Sequence, residues 1–167
     1  MTDVISERVS VRSFTDEPVS DEDLRALAVA AMAAPSAGNQ MPWELFIVRD
    51  KKVLEKLSRV SPYAKPAAGS AATIVLAMRE EGARFKVMLP QDMGAATENV
   101  LLRAVELGLG AVWLGIYPLQ DRMDAVAEAV SMEEGITPFA LVALGHPDKL
   151  VEPKGESRFD ETRVRWI

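Results

Sequence analysis

Two arginines and a serine near the start of the chain have the residue types and spacing of a phosphate-binding segment. Arg8, Ser10 and Arg12 alternate with valines over residues 8–12. In extended backbone, side chains two residues apart point to the same side. Two guanidinium groups and a hydroxyl would then converge on one phosphate through short, charge-assisted hydrogen bonds. The same spacing also fits two ordinary surface arginines, and the segment alone leaves both interpretations open.

A second segment, residues 35–43, has the composition of a rigid turn, with the sequence PSAGNQMPW. Proline, glycine, serine and asparagine favour turns for distinct backbone reasons. Asn39 offers both a donor and an acceptor, which suits the imide edge of a flavin ring. A plain connection with Trp43 in the core is the alternative interpretation. Taken with a phosphate-binding segment, the turn favours bound flavin mononucleotide (FMN) and a redox function.

The elements that position these segments follow from hydrophobic periodicity and from turn residues. Apolar residues at helical spacing predict a helix over residues 21–34, which begins after a Ser20–Asp23 capping pair. The same reasoning predicts helices at 51–58, 90–107 and 119–130, and strands at 45–48, 71–78, 111–116 and 139–144. We therefore predict one α+β domain over residues 1–167, with a small mixed sheet surrounded by helices.

Composition argues against several classes of function. The formal net charge of −6 disfavours general nucleic-acid binding, which needs a basic surface. With no cysteine and only His146, the chain has no thiolate nucleophile and no cysteine- or histidine-based metal site, so no metal is predicted. The apolar run 71–78 is far shorter than the roughly 20 residues of a membrane span. Without a secretory signal either, we expect a soluble, cytoplasmic protein with no membrane partner.

The glycines of Gly108-Leu109-Gly110 do not form a dinucleotide-binding fingerprint. That fingerprint requires a strand before the glycines and a helix after them, whereas here a predicted helix precedes and a predicted strand follows. The chain also has no P-loop and no nucleophile elbow. No side chain is therefore predicted to be catalytic.

The order of these segments resembles that of the nitroreductase family of FMN-dependent oxidoreductases, over nearly the whole chain. The matching segments are residues 8–14, 34–39, 42–43, 91–99, 107–115, 144–147 and 158–164. The resemblance implies the family's α+β fold and an intertwined homodimer, with FMN in the groove between the two subunits. The apolar helix over residues 90–107 is the best candidate for the shared surface.

The resemblance also implies how the FMN phosphate is held. Arg8, Ser10 and Arg12 match the residues that bind the phosphate and the ribityl chain. Arg158 matches a basic residue near the end of the chain that completes the phosphate site, and Lys154 is a weaker candidate for the same task.

For the flavin ring, the resemblance implies contacts from two further segments. Asn39 matches the residue that faces the pyrimidine edge, and Pro35 and Ser36 match residues that the neighbouring subunit contributes. Leu114 and Gly115 match the segment whose backbone amide points at flavin N5. A fixed donor at N5 tunes the redox behaviour of the cofactor, so the chemistry needs no catalytic side chain.

The activity that the resemblance implies is reduction of small electron-poor acceptors, such as nitroaromatic compounds or quinones. NAD(P)H would be the co-substrate, and hydride would pass through flavin N5 in a ping-pong mechanism.

The chain departs from the family pattern at Met41, where a glutamine is common, and in its short segments 61–69 and 79–89. The short segments predict an open pocket. Two alternatives therefore stay open: a protein that stores, delivers or senses FMN without turnover, and an enzyme whose reduced flavin reacts with oxygen or removes a halide.

Overall fold

A four-stranded antiparallel sheet forms the centre of the molecule in the computed structural model, which describes residues 3–153 and 155–167. The strands are β1 Trp43–Val48, β2 Ala72–Arg79, β3 Gly110–Gly115 and β4 Ile136–Gly145. Their spatial order is β1-β2-β4-β3, so β1 and β3 are the edge strands. All three pairings are antiparallel.

The α+β class is confirmed, but the sheet is antiparallel where the sequence predicted a mixed one. Among the described residues, parallel pairing is confined to an isolated bridge between Ser10 and Ala111. The continuous apolar run of β2 is typical of parallel strands, which are buried on both faces. Here both faces of β2 are buried because helices cover the antiparallel sheet on each side.

The described part of the chain has five α-helices, and the four longer ones begin and end within two residues of their predicted bounds. The five are α1 Val4–Glu7, α2 Asp21–Met32, α3 Lys51–Leu57, α4 Leu89–Glu106 and α5 Gln120–Val130. The Ser20 hydroxyl accepts a hydrogen bond from the Asp23 backbone N–H at 3.0 Å, which confirms the predicted start of α2. Among the described helices, none is both long and apolar enough to cross a membrane.

Two apolar layers hold the helices to the sheet. On one face, buried residues of α2 and α4 pack with Ile74 and Leu76 of β2. On the other face, buried residues of α3 and α5 pack with Val75 of β2 and Leu141 of β4. The edge of β3 that does not pair with β4 contacts the N-terminal arm, residues 9–14, and borders a cleft.

Candidate functional site

A cleft of about 840 Å³ opens along the free edge of β3. Its walls come from residues 12–14 of the N-terminal arm, residues 112–115 of β3, the loop at 63–69 and Arg122 of α5. This volume lies within the range of small-molecule sites, roughly 300–1,000 Å³. The cleft can therefore hold a ligand of cofactor size.

The charge of the cleft is opposite to that of the whole protein. Arg12, Lys65 and Arg122 line it, and no Asp or Glu among the described residues does so, although the chain carries a net charge of −6. None of the three cations takes part in the ion pairs found among the described residues. The arrangement attracts an anionic ligand.

The N-terminal arm lies directly against the free edge of β3. The Val11 backbone N–H donates to the Ala111 carbonyl oxygen at 3.0 Å. This close approach depends on Gly110, where an added Cβ would lie 2.7 Å from Val11 Cγ1. The glycine therefore lets the arm bring Arg12 to the mouth of the cleft.

Backbone groups of β3 point into the cleft at every second residue. The Ala111 carbonyl accepts from Val11 of the arm, so it is directed away from β4. Along a strand that pairs on one side, the backbone groups of successive residues alternate between the paired edge and the free edge. The N–H and C=O groups of Trp113 and Gly115 are therefore directed to the free edge, as those of Ala111 are. The Gly115 carbonyl oxygen accordingly accepts a hydrogen bond from Arg122 Nη1 at 3.0 Å, outside the β4 ladder. The N–H of Gly115 faces the same edge, while the Leu114 side chain is buried beneath it.

The three residues of the predicted phosphate segment lie in different surroundings. Arg12 lines the cleft and Ser10 bridges to Ala111 at its side. The Nη1 of Arg12 also donates to the Ser10 carbonyl oxygen at 3.4 Å. Arg8 instead pairs with Glu98 of α4, with 3.4 Å between Arg8 Nε and Glu98 Oε1. Their shared role in phosphate binding stays a prediction.

The turn at residues 35–41 forms a separate feature, outside the cleft of its own chain. Three of its residues have positive φ: Gly38 at 55°, Asn39 at 55° and Met41 at 47°. Non-glycine residues rarely adopt this conformation, and such residues cluster at functional sites. The turn contains Pro35, Ser36 and Asn39, whose predicted contacts with FMN stay predictions.

Arg158 lies in a short 3-10 turn, Glu156–Arg158, near the end of the chain. It is exposed and does not line the cleft of its own chain. Lys154, the other predicted basic residue of this region, lies outside the described residues.

Among the residues of the candidate site that sequence reasoning missed are four with polar side chains. Tyr63, Lys65 and Arg122 line the cleft, and Asp92 holds the turn at 35–41. No periodic pattern marks the first three, because a loop and the polar side of a helix carry them. The sequence does contain an indication of Asp92, because it is an acidic residue on the apolar stripe of α4, one turn before Ala96.

Comparison with known proteins agrees with this architecture. A sequence model of the nitroreductase family matches residues 5–67 and 59–146. A protein of Archaeoglobus fulgidus, provisionally named an NADH dehydrogenase/NAD(P)H nitroreductase, is 39% identical over 163 residues, covering 96% of this chain and 94% of that protein.

Solved structures give the same result. A Clostridium acetobutylicum protein, provisionally described as an NADH oxidase, superposes with a TM-score of 0.90 at 39% identity and covers 98% of both chains. A provisionally assigned nitroreductase of Desulfovibrio desulfuricans, crystallised with FMN, superposes with a TM-score of 0.79 at 30% identity, covering 95% of this chain and 94% of the other. The chain described here belongs to the nitroreductase family.

Proposed function

We propose that the protein is an FMN-dependent NAD(P)H oxidoreductase that reduces small electron-poor acceptors, nitroaromatic compounds and quinones among them. The observation that carries the proposal is the cationic cleft along the free edge of β3, where Arg12, Lys65 and Arg122 surround the backbone of Gly115. FMN carries a phosphate, and its ring gains electron density on reduction, so cations and a fixed N–H donor suit it. The relative crystallised with FMN supports the same cofactor.

The described residues fit FMN in three respects. The cleft has the volume for a flavin, about 840 Å³. The Gly115 N–H is free of the β4 ladder and available to N5. Arg12 and Ser10 lie together at one side, where they would hold the phosphate or the ribityl chain, with Arg8 beyond them on the arm. When bound, FMN supplies hydride transfer at N5, first from NAD(P)H and then to the acceptor.

A homodimer with FMN at the subunit interface is part of the proposal. The turn that contains Pro35, Ser36 and Asn39 does not line the cleft of its own chain, so its contact with FMN requires a second subunit. Large apolar side chains are exposed on the single chain, among them Val29 and Val87. A second copy would cover them, with α4 as the central shared helix, and would bring Arg158 of the tail to a phosphate site. We further propose a cytoplasmic location.

Storage or sensing of FMN without turnover is the second candidate. Only a single 3-10 turn, Lys86–Met88, lies between β2 and α4, so the described part of this connection has no helix to close over the flavin. An open cleft binds a cofactor but excludes water poorly, which favours a carrier over an enzyme.

The first experiment is the visible spectrum of the purified protein, followed by anaerobic addition of NADH or NADPH. The proposal expects flavin absorption that bleaches with nicotinamide and returns on addition of a quinone or nitroaromatic compound. Flavin bands that persist in both nicotinamides favour the storage protein. A protein that stays colourless after incubation with FMN contradicts both candidates. Light scattering of the same sample gives the oligomeric state.

A further inference from the structure

Asp92 is a buried carboxylate that the proposed cleft does not use. It lies in the first turn of α4 and is only 5% exposed. Its Oδ1 accepts from the Ala37 backbone N–H at 2.9 Å, and its Oδ2 accepts from Gln40 Nε2 at 2.7 Å. Both partners belong to the turn at residues 35–41, more than 50 positions earlier in the chain.

The amide of Gln40 extends this network to the segment before α4. Its Nε2 also donates to the Phe85 carbonyl oxygen at 3.3 Å, and its Oε1 accepts from the Phe85 N–H at 2.9 Å. One glutamine side chain therefore joins the turn at 35–41, the start of α4 and the segment before it. Hydrogen bonds to Asp92 on one side and to the Phe85 backbone on the other therefore hold the turn.

The backbone of the turn needs such support. Asn39 and Met41 adopt the left-handed conformation, which non-glycine residues rarely adopt and which persists only where the surroundings impose it. Ser36 Oγ adds one further bond, accepting from the Met41 N–H at 3.0 Å. The side chain of Asn39 is exposed on the outside of this fixed turn, with its amide available to a ligand or partner.

We infer that Asp92 and Gln40 are positioning residues, which fix the turn at 35–41 so that Asn39 meets the pyrimidine edge of FMN held by the other subunit. The inference rests on the proposed function. A turn that is ordered before the ligand arrives loses less conformational entropy on binding, so affinity rises without any new contact to the ligand. Asp92 contributes through the backbone of Ala37 and the amide of Gln40, and does not touch FMN itself.

The test exchanges the donor and the acceptor of the Asp92–Gln40 pair. Asp92→Asn keeps the shape but replaces one acceptor oxygen with an NH₂ group, so that a donor meets a donor at Gln40 Nε2 or at the Ala37 N–H. Gln40→Glu alone brings two carboxylates together. The double variant Asp92→Asn with Gln40→Glu restores one donor opposite one acceptor, and a cycle of this kind isolates the coupling between two sites.

We expect each single variant to raise the FMN dissociation constant by about tenfold or more, since buried polar groups lose their partners. The double variant should recover the part of that loss that comes from the contact between residues 40 and 92, whereas the bond from Gln40 Nε2 to the Phe85 carbonyl oxygen is not restored. The ¹⁵N chemical shift of flavin N3 in bound, labelled FMN reports the pyrimidine edge directly, and we expect it to move in the single variants and return in the double. In the FMN-free protein, amide exchange at Ala37 should speed up in Asp92→Asn.

Asp50→Asn is the matched control. The Asp50 carboxylate accepts from the N–H groups of Lys52 and Val53 and caps α3 on the opposite face of the sheet. Because asparagine caps a helix about as well as aspartate, Asp50→Asn should leave the FMN dissociation constant and the N3 shift unchanged and alter the melting temperature little. If Asp92→Asn does not fold, Gln40→Met is measured in its place; it removes the Gln40–Asp92 hydrogen bond and the two bonds to Phe85, and leaves the Ala37 N–H bonded to Asp92.

Two results separate failure of the inference from failure of the proposed function. FMN affinity and N3 shift equal to wild type in the single variants, or no recovery in the double, would overturn the positioning role while FMN binding stands. Absence of FMN binding by the wild-type protein would overturn both.

Discussion

The guanidinium of Arg122 donates a hydrogen bond to the Gly115 carbonyl oxygen at 3.0 Å, joining the first turn of α5 to the end of β3. A Cβ at Gly115 would meet nothing within 4 Å, so packing does little to restrict this residue. On its other side, the Arg122 guanidinium lies 5.9 Å from the centre of the Tyr63 ring. One side chain thus links the β3 wall of the cleft to the loop that forms the facing wall.

Arg122→Met should therefore loosen Gly115 and weaken FMN binding. A hydrogen bond to a charged group contributes about 1.5–3 kcal/mol, and the partial exposure of Arg122 puts our expectation at the low end, a loss of about tenfold in affinity. Arg122→Lys keeps the charge and should lose less. The measurement is a fluorescence titration of FMN into the cofactor-free protein. Arg59→Met, which removes an exposed arginine paired with Glu55, is the control. Equal affinities in wild type and Arg122→Met would refute the prediction.

Arg8→Ala and Arg12→Ala test the assignment of the phosphate site. Loss of one desolvated, charged contact should weaken FMN binding by roughly 1.5–3 kcal/mol in either variant. Arg12 lines the cleft, whereas Arg8 must leave Glu98 to reach a phosphate. We therefore expect the larger loss from Arg12→Ala. Arg25→Ala on the exposed side of α2 is the control. Unchanged FMN content in both arginine variants would show that the phosphate lies elsewhere.

Sequence reasoning predicted the elements well because each depends on local pattern. Helical spacing and the Ser20 cap located α2, and the short apolar run 111–116 located β3. The relative positions of side chains from distant elements could not be predicted in the same way. Lys65 in a loop and Arg122 on a helix converge with Arg12 only because β3 is an edge strand, and no pattern along the chain indicates strand order.

The relative direction of the strands could not be predicted from the sequence, for a related reason. A continuously apolar strand such as β2 indicates burial on both faces, but not which way its neighbours run. The turn at residues 35–41 is indicated by Pro35 and Gly38, whereas Asp92, which holds it, is 55 positions away from Ala37. An acid on the apolar stripe of a helix is the one sign of such a contact that a sequence offers.

The cap of α1 should be sensitive to acid. Hydrogen bonds from the Ser6 hydroxyl and N–H, and from the Ile5 N–H, hold the pKa of Asp3 below its ordinary value. Because the pKa is lowered in the folded state, the stabilisation is fully present above the unfolded-state pKa and is lost as pH falls through the folded-state pKa. The amide shifts of Ile5 and Ser6 should therefore change only at pH below about 4. In Asp3→Asn, which keeps an acceptor but cannot ionise, this change should vanish; its persistence would mean that another group titrates.

Gly110→Ala should detach the N-terminal arm from β3. The new Cβ would lie 2.7 Å from Val11 Cγ1 and 2.8 Å from Val11 Cβ, and overpacking of this kind costs roughly 1–3 kcal/mol of unfolding free energy. The displaced arm includes Arg12, so FMN affinity should fall together with stability. Val11→Ala removes the contacts with Cγ1 and Cγ2 at 2.7 and 3.0 Å and keeps only the one with Cβ. In urea denaturation, the cost of Gly110→Ala should consequently be smaller in the Val11→Ala background than in the wild-type one. Additive costs of the two substitutions would mean that the arm moves aside without resistance, and that Gly110 does not set the position of Arg12.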